Sequence, residues 1–318
     1  MVNNKLNKES DKRIYEMLQN AFGKTITKLL EDPEVTNIRL NPNGKLFYKK
    51  SKEGKILSDD TISANAAEQI IRLVASMRSD ICDANNPILS SELPGTGYRF
   101  QGMLPPAVAR ASFAIRKKAV LIYTLDDYVS QGILTSAWAE YIKHAVKEKK
   151  NILIVGGTDS GKTTFANAVL DEISRYDDTI LIIEDTYELQ CSGDDVLEFR
   201  ASDGADMQTL LKASLRCDPD RIIVGEVRGA EALTLLDSWN TGHPGGLSTI
   251  HANSAPLALR RLEQLVLQST RHVSKQTIAD SVDVIIYIES DGLKRRIKEV
   301  LEVIGFELGN DDYLFKLI

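Results

Sequence analysis

The stretch Gly156-Gly157-Thr158-Asp159-Ser160-Gly161-Lys162-Thr163-Thr164 constrains this chain more than any other. It satisfies G-x-x-x-x-G-K-[ST] at every fixed position, and its context is equally specific. The apolar run Asn151-Ile152-Leu153-Ile154-Val155 precedes it, and Phe165, Val169 and Ile173 recur after it at helical spacing. Strand, glycine loop and helix in that order form a phosphate-binding loop. The glycines let backbone N–H groups curl around a phosphate, and the helix N-terminus adds partial positive charge. Gly157, Thr158, Asp159, Ser160 and Gly161 form the cradle, and Thr164 continues the helix. Lys162 is placed to reach the β- and γ-phosphates, and the Thr163 hydroxyl to sit on Mg²⁺. A chain with this segment binds a nucleoside triphosphate.

Around that loop the chain reads as two domains. At 318 residues its length suits two cores. Residues 1–120 mix short strands and helices as a small α+β domain. Asn37–Asn41 and Lys45–Lys49 are strand-like around the turn Pro42-Asn43-Gly44. Ser63–Met77 carries Ala67, Ile70, Ile71 and Val74 at helical spacing, with Ser63 as N-cap. Tyr98–Gly102 and Ala111–Arg116 are strand-like around Pro105-Pro106. Residues 121–135 read as a linker. Residues 136–318 read as an α/β nucleotide-binding domain, in which short, continuously apolar runs (Ile152–Val155, Thr179–Ile183, Ile222–Val224, Leu247–Ile250) alternate with helices. Such runs suit a parallel sheet covered on both faces. Val282–Ile288 and Lys294–Val303 add a strand pair.

Composition narrows the partners. Lys and Arg number 39 against 45 Asp and Glu, a net charge of −6, so no global basic field argues for direct nucleic-acid binding. Cys82, Cys191 and Cys217 are scattered and odd in number, which reads as reduced thiols of a cytoplasmic protein without a zinc site. No apolar run approaches the roughly 20 residues of a membrane span, and Met1–Asn7 has no apolar leader core. Membrane association is therefore expected to be peripheral or through a partner.

Hydrolysis needs acidic groups to hold metal and orient water. Two segments supply them, each where an apolar strand ends, which is where open α/β sheets bind ligands. In Ile180-Leu181-Ile182-Ile183-Glu184-Asp185-Thr186-Tyr187-Glu188 a set of carboxylates, Glu184 among them, follows the strand. In Ile222-Ile223-Val224-Gly225-Glu226-Val227-Arg228 a Walker B-like strand ends in glutamate, with Glu226 placed to meet Mg²⁺ through water and Arg228 to stabilise phosphate charge. Thr241–Asn253 holds His243 and His251 on either side of a glycine turn. Imidazole there can donate, accept or relay. By spacing alone Arg99 and Arg116 read as surface arginines.

The order GGTDSGKTT, IIEDTYEL, LRCDPDRIIVGEVRGAEAL and TGHPGGLSTIHANS resembles the secretion traffic ATPases, which power type II and type IV secretion and pilus machines. The runs Glu92–Pro106 and Ser112–Lys117, with Ser248–Asn253, are similar to the TrbB-like conjugal-transfer ATPases of type IV secretion. The resemblance implies RecA-like hexameric rings that bind ATP between a smaller N-terminal and a RecA-like P-loop C-terminal domain. It implies inner-membrane secretion components as partners. It also implies that Arg99 and Arg116 reach the phosphates, reversing the reading from spacing. Glu188 matches the glutamate that activates water, Glu226 the Walker B glutamate, His251 the histidine box and His243 its partner. A type II secretion or type IV pilus motor, a DNA translocase and a nucleotide-dependent switch remain alternatives.

The loop departs from the family at Asp159, where a small neutral residue is usual. Aspartate tolerates left-handed backbone, so the loop shape survives while a negative charge joins the phosphate site. Asp159→Gly is expected to tighten nucleotide binding several-fold in a calorimetric titration; an unchanged or weaker Kd refutes this reading.

Overall fold

Short strands of alternating character, punctuated by turn residues, build the first part of the chain as two antiparallel three-stranded meanders joined through the strands Val35–Leu40 and Ser112–Arg116. The computed structural model describes residues 9–50, 53–77, 80–118, 122–202, 204–291 and 294–318. The Met1–Asn7 stretch and the domain boundary expected at residues 120–121 lie outside those residues. The chain divides into two units, Met1–Val120 and Leu121–Ile318.

The first unit contains α1 (Glu9–Glu31), β1 (Val35–Leu40), β2 (Lys45–Lys50), β3 (Gly54–Thr61), α2 (Ala64–Met77), β4 (Ile88–Leu93), β5 (Tyr98–Met103) and β6 (Ser112–Arg116). Its sheet runs β3-β2-β1-β6-β5-β4, antiparallel throughout. Gly44 closes the β1–β2 turn at φ 80°, a region that favours glycine, and the Asn43 carboxamide oxygen accepts from the Lys45 N–H. Ser63 caps α2, as its Oγ accepts from the Ala66 N–H at 3.2 Å. The apolar stripes of α1 (Leu18, Phe22, Ile26) and α2 (Ile70, Ile71, Val74) bury against Ile38, Phe100, Phe113 and Ile115 of the sheet.

The second unit contains α3 (Leu125–Ser130), α4 (Ser136–Lys147), β7 (Ile152–Gly156), α5 (Lys162–Ile173), β8 (Ile180–Glu184), β9 (Val196–Arg200), α6 (Met207–Ser214) and β10 (Arg221–Val224). It continues through α7 (Glu231–Asn240), β11 (Leu247–Ile250), α8 (Ala255–Val266), α9 (Lys275–Ser281), β12 (Val284–Ser290), β13 (Arg295–Glu307) and β14 (Asp312–Leu317). The sheet order is β14-β13-β12-β7-β11-β10-β8-β9, parallel from β12 to β9 and antiparallel through β13 and β14. The apolar runs expected as parallel strands are those strands. Alternate residues of each run serve opposite layers. Ile152, Ile154, Ile180 and Ile182 pack with Phe165 and Val169 of α5 and Ile142 of α4. Leu153, Val155, Leu181 and Ile183 pack with Leu235, Leu259 and Leu262 on the other face. The stretch read as a linker holds α3, capped by a reciprocal Thr124–Asp127 box and anchored in the core by Leu125 and Tyr128.

The edge where the parallel strands begin is locked by a buried ion pair. Arg221, 1% exposed, donates through Nε to Asp178 Oδ2 at 2.6 Å and through its other nitrogens to the carbonyls of Gly245 and Val146. Lys149 Nζ reaches the same carboxylate at 2.7 Å. Burial works to raise the Asp178 pKa, but the bonds from Lys149 and Arg221 outweigh it and the net shift is downward. A lowered carboxylate pKa contributes stability that is present above the ordinary value and lost as pH falls through the folded one. Asp178→Ala strands a buried guanidinium and should cost about 3 kcal/mol in urea unfolding at neutral pH, whereas a loss below ~0.5 kcal/mol contradicts this role for the pair.

Candidate functional site

Parallel register brings the strand ends of the second unit to one edge. Ile183 pairs with Val224, Val224 with Ser248 and Ile250 with Val155. The segments that follow β7, β8, β10 and β11 therefore emerge together at the carboxyl edge. They are the glycine loop, the acidic loop, the Walker B-like end and the His251 segment.

The glycine loop is tightly built on its inner side and open on its outer side. A Cβ on Gly156 would fall 2.4 Å from the Ile288 carbonyl and 2.5 Å from Ser160 Oγ, so only glycine fits there. Gly161 stands at φ 100°, turning the chain into α5 without any side-chain cap. Asp159 takes the left-handed conformation its residue type allows, at φ 60°. Gly157, Thr158 and Asp159 are exposed, while Thr163 and Thr164 are half-buried on the first turn of α5. Ser160 Oγ is buried without a hydrogen-bond partner among the described residues. Beside the loop lies a cavity of about 490 Å³, lined by Gly156, Gly157, Thr158, His251, Asn253 and Arg261 among others.

Lys162 is the centre of this edge. Its side chain is buried, and Nζ donates to the Gly156 carbonyl at 3.1 Å and the Gly157 carbonyl at 2.8 Å. His251 Nδ1 lies 3.2 Å from the same ammonium, and His251 Nε2 lies 2.8 Å from Glu226 Oε1. The neutral imidazole with its proton on Nε2 satisfies both neighbours, accepting from Lys162 and donating to Glu226. Burial, followed by the Lys162 charge, lowers the His251 pKa below its ordinary 6.5, against the pull of Glu226. Arg228 continues the chain of charges, with Nε 2.9 Å from Glu226 Oε2 and Nη1 2.5 Å from Asp185 Oδ2.

The acidic loop is anchored by two side chains. Glu184, buried at the end of β8, accepts through Oε1 from the Glu188 and Leu189 N–H groups, both at 3.0 Å. Asn167 on α5 accepts from the Gln190 N–H at 2.9 Å and donates to the Glu188 carbonyl at 3.2 Å. Sequence reasoning missed Asn167. The available signal was a single carboxamide within the otherwise apolar run Phe165-Ala166-Asn167-Ala168-Val169.

Several expectations change in detail. Glu184, expected among the catalytic carboxylates, uses Oε1 to hold the Glu188 and Leu189 amides of the loop. Arg228, expected at the phosphates, has its guanidinium on Glu226 and Asp185. His243, expected at the nucleotide, lies at the opposite edge, where its Nδ1 is 2.8 Å from the Pro219 carbonyl. Pro219 and His243 precede β10 and β11, whereas the glycine loop follows β7. The length of a strand separates them. Lys162, His251, Glu226, Arg228 and the Glu188 loop do converge. In the first unit Arg99 and Arg116 are direct cross-strand partners on β5 and β6, which puts them on one face of that sheet.

The residues present fit a nucleoside triphosphate with Mg²⁺. The fit rests on the exposed glycine cradle, the uncapped N-terminus of α5, the partnerless Ser160 hydroxyl and the ammonium at the loop's centre. Among the described residues no three metal-ligating side chains cluster. Mg²⁺ suits such a site, since it is commonly held by one or two protein groups plus substrate phosphates. Thr163 and Glu226 are the candidates.

Comparison with known proteins identifies the family. The family model described as "Type II/IV secretion system protein" matches residues 35–292. The probable conjugal transfer protein TrbB of Sinorhizobium fredii is 46% identical over 302 residues, covering 94% of this chain and 93% of that protein. The conjugal transfer protein TrbB of Rhizobium radiobacter is 44% identical, covering 93% and 92%. The VirB11 ATPase from the Brucella suis type IV secretion system, solved with sulphate, superposes with a TM-score of 0.50 at 25% identity, covering 93% of this chain and 97% of that one. The α/β architecture is thus the RecA-like P-loop fold with an N-terminal domain. The chain belongs to the type II/IV secretion system protein family, with the TrbB conjugal transfer proteins among its relatives.

Proposed function

We propose that the chain hydrolyses ATP to ADP and phosphate with Mg²⁺, as a homo-hexameric motor of a type IV secretion or conjugal-transfer system. The observation that carries this reading is the convergence of buried Lys162, His251, Glu226 and the anchored Glu188 loop on one sheet edge. The TrbB relatives at 44% and 46% identity support the conjugal-transfer setting. Its place is the cytoplasmic side of the inner membrane, against inner-membrane secretion components. No described helix is long and apolar enough to cross a membrane.

The geometry supports the following assignment of roles. The loop amides of residues 157–161 and the N-terminus of α5 bind the phosphate chain. Lys162 exchanges loop carbonyls for phosphate oxygens, a stronger partner for an ammonium because it is charged. Mg²⁺, when bound, neutralises developing phosphate charge, held by Thr163 and, through water, Glu226. Glu188 orients and deprotonates the attacking water, with Glu184 holding its backbone in place. His251, neutral at working pH, links Lys162 to Glu226 and so registers both. Arg228 holds Glu226 against Asp185. Arg99 and Arg116 are the proposed further phosphate contacts.

Glu188→Gln keeps the backbone anchors and removes the base. Turnover should fall by roughly 10² or more while affinity for a non-hydrolysable ATP analogue is retained. Light scattering on the same samples should report a hexamer. Full turnover in that variant, or a monomer that hydrolyses ATP at the wild-type rate, contradicts the proposal.

The acid limb of activity has a definite sign. Protonating His251 removes the Nδ1 acceptor and sets a second positive charge 3.2 Å from Lys162 Nζ. The lowered pKa keeps the ring neutral until pH falls below the ordinary 6.5. In a kcat/KM profile, activity should hold through neutrality and decline only below that value, and His251→Asn should move the limb to lower pH. An unmoved limb assigns the titration to another group.

A further inference from the structure

Lys162 and Asn167 stand on the same helix, five positions apart, so about 7.5 Å of helix axis separates the phosphate-binding ammonium from the carboxamide. Asn167 is 1% exposed, and its chain neighbours Phe165, Ala166, Ala168 and Val169 are core residues. Packing at such a position is served as well by leucine, and a buried carboxamide costs free energy unless its polar atoms are matched. Both ends are matched, and by one target. Oδ1 accepts from the Gln190 N–H and Nδ2 donates to the Glu188 carbonyl. Glu184 Oε1 holds the Glu188 N–H from the strand side. The N–H and the C=O of Glu188 are therefore both fastened, one to β8 and the other to α5. A residue fixed at both backbone polar groups has its Cα–Cβ direction set, which is what a base aimed at one water requires.

We propose that Asn167 is a positioning residue for the hydrolytic step, tying Glu188 to the phosphate-binding helix so that base and phosphate move as one body. The inference rests on the assignment of Glu188 as the base in the function proposed above. It gives α5 a second role. The N-terminal turn holds the phosphates, and the next turn holds the loop that carries the base. Substrate binding and base placement are then coupled through one helix as well as through the loop.

The test compares wild type, Glu188→Gln, Asn167→Asp and the double variant in full-length protein, with steady-state ATPase, analogue binding and thermal unfolding on each. Asn167→Asp keeps the volume and the acceptor for Gln190 but replaces the donor to the Glu188 carbonyl with an oxygen. The expected result is a kcat at least tenfold lower with the Kd for a non-hydrolysable analogue within twofold of wild type. In the Glu188→Gln background the Asn167 substitution should cost less than twofold more, because its effect acts through the residue already removed. Asn167→Ser, which retains a short donor, should recover part of kcat. A kcat within twofold of wild type in folded Asn167→Asp overturns the inference while leaving Glu188 as the base. Equal multiplicative losses in both backgrounds overturn it too, and assign Asn167 to stability. Full turnover in Glu188→Gln overturns both the inference and the reading beneath it.

Discussion

A buried ammonium organises this molecule. Lys162 is 7% exposed, and a charge so placed needs partners that satisfy it without water. It finds two carbonyls of its own loop and one imidazole from a different strand. That requirement shapes the loop, since Gly156 and Gly157 must turn their oxygens inward, and a Cβ on Gly156 would collide with the Ile288 carbonyl. It also fixes β11 beside β7, because His251 must arrive at the ammonium. From there the charges alternate outward through Glu226, Arg228 and Asp185, joining the ends of β7, β11, β10 and β8. One cation thereby registers four strands at the edge where a phosphate would compete for it.

A second tie runs from the same helix to the acidic loop. Glu184 and Asn167 hold consecutive backbone groups of residues 188–190, and neither side chain has the exposure expected of a group that meets solvent and substrate. Catalytic carboxylates are recognised by what faces the reacting atoms, whereas positioning groups are recognised by spent hydrogen bonds. Glu184 and Glu188 look equivalent in a list of acids, but Glu184 holds the backbone amides of Glu188 and Leu189. The opposite edge of the sheet is stabilised independently by Arg221, Asp178 and Lys149. The carboxyl edge carries the chain of charges from Lys162 through His251 and Glu226, and the other edge carries the buried ion pair.

Much of this was legible in the sequence, for identifiable reasons. The glycine loop and its neighbouring strands were readable because phosphate cradling demands glycine at fixed positions and parallel strands demand continuous apolar runs. Four strand ends carrying Lys162, Glu184, Glu226 and His251 followed from that pattern. The strands β3, β9 and β14 were not readable, since they are edge strands with few or no buried positions. His243 was misplaced because nearness in sequence to His251 suggested nearness in space, whereas β11 carries the chain from one sheet edge to the other between them. The Glu226 and Asp185 partners of Arg228 were not readable, because sequence shows a charge without its partners. Asn167 was invisible because carboxamides inside helices usually signal nothing; only its two hydrogen bonds reveal what it holds.

The most direct test of the account is nucleotide affinity at Lys162. Titration of a non-hydrolysable ATP analogue with Mg²⁺ into wild type and Lys162→Met, with folding checked by thermal unfolding, asks whether this ammonium is the phosphate anchor. The account predicts binding weakened about 100-fold or more, near 2.7 kcal/mol, in a variant that remains folded. An unchanged Kd in folded Lys162→Met contradicts it, because the buried cation would then serve the loop and histidine alone.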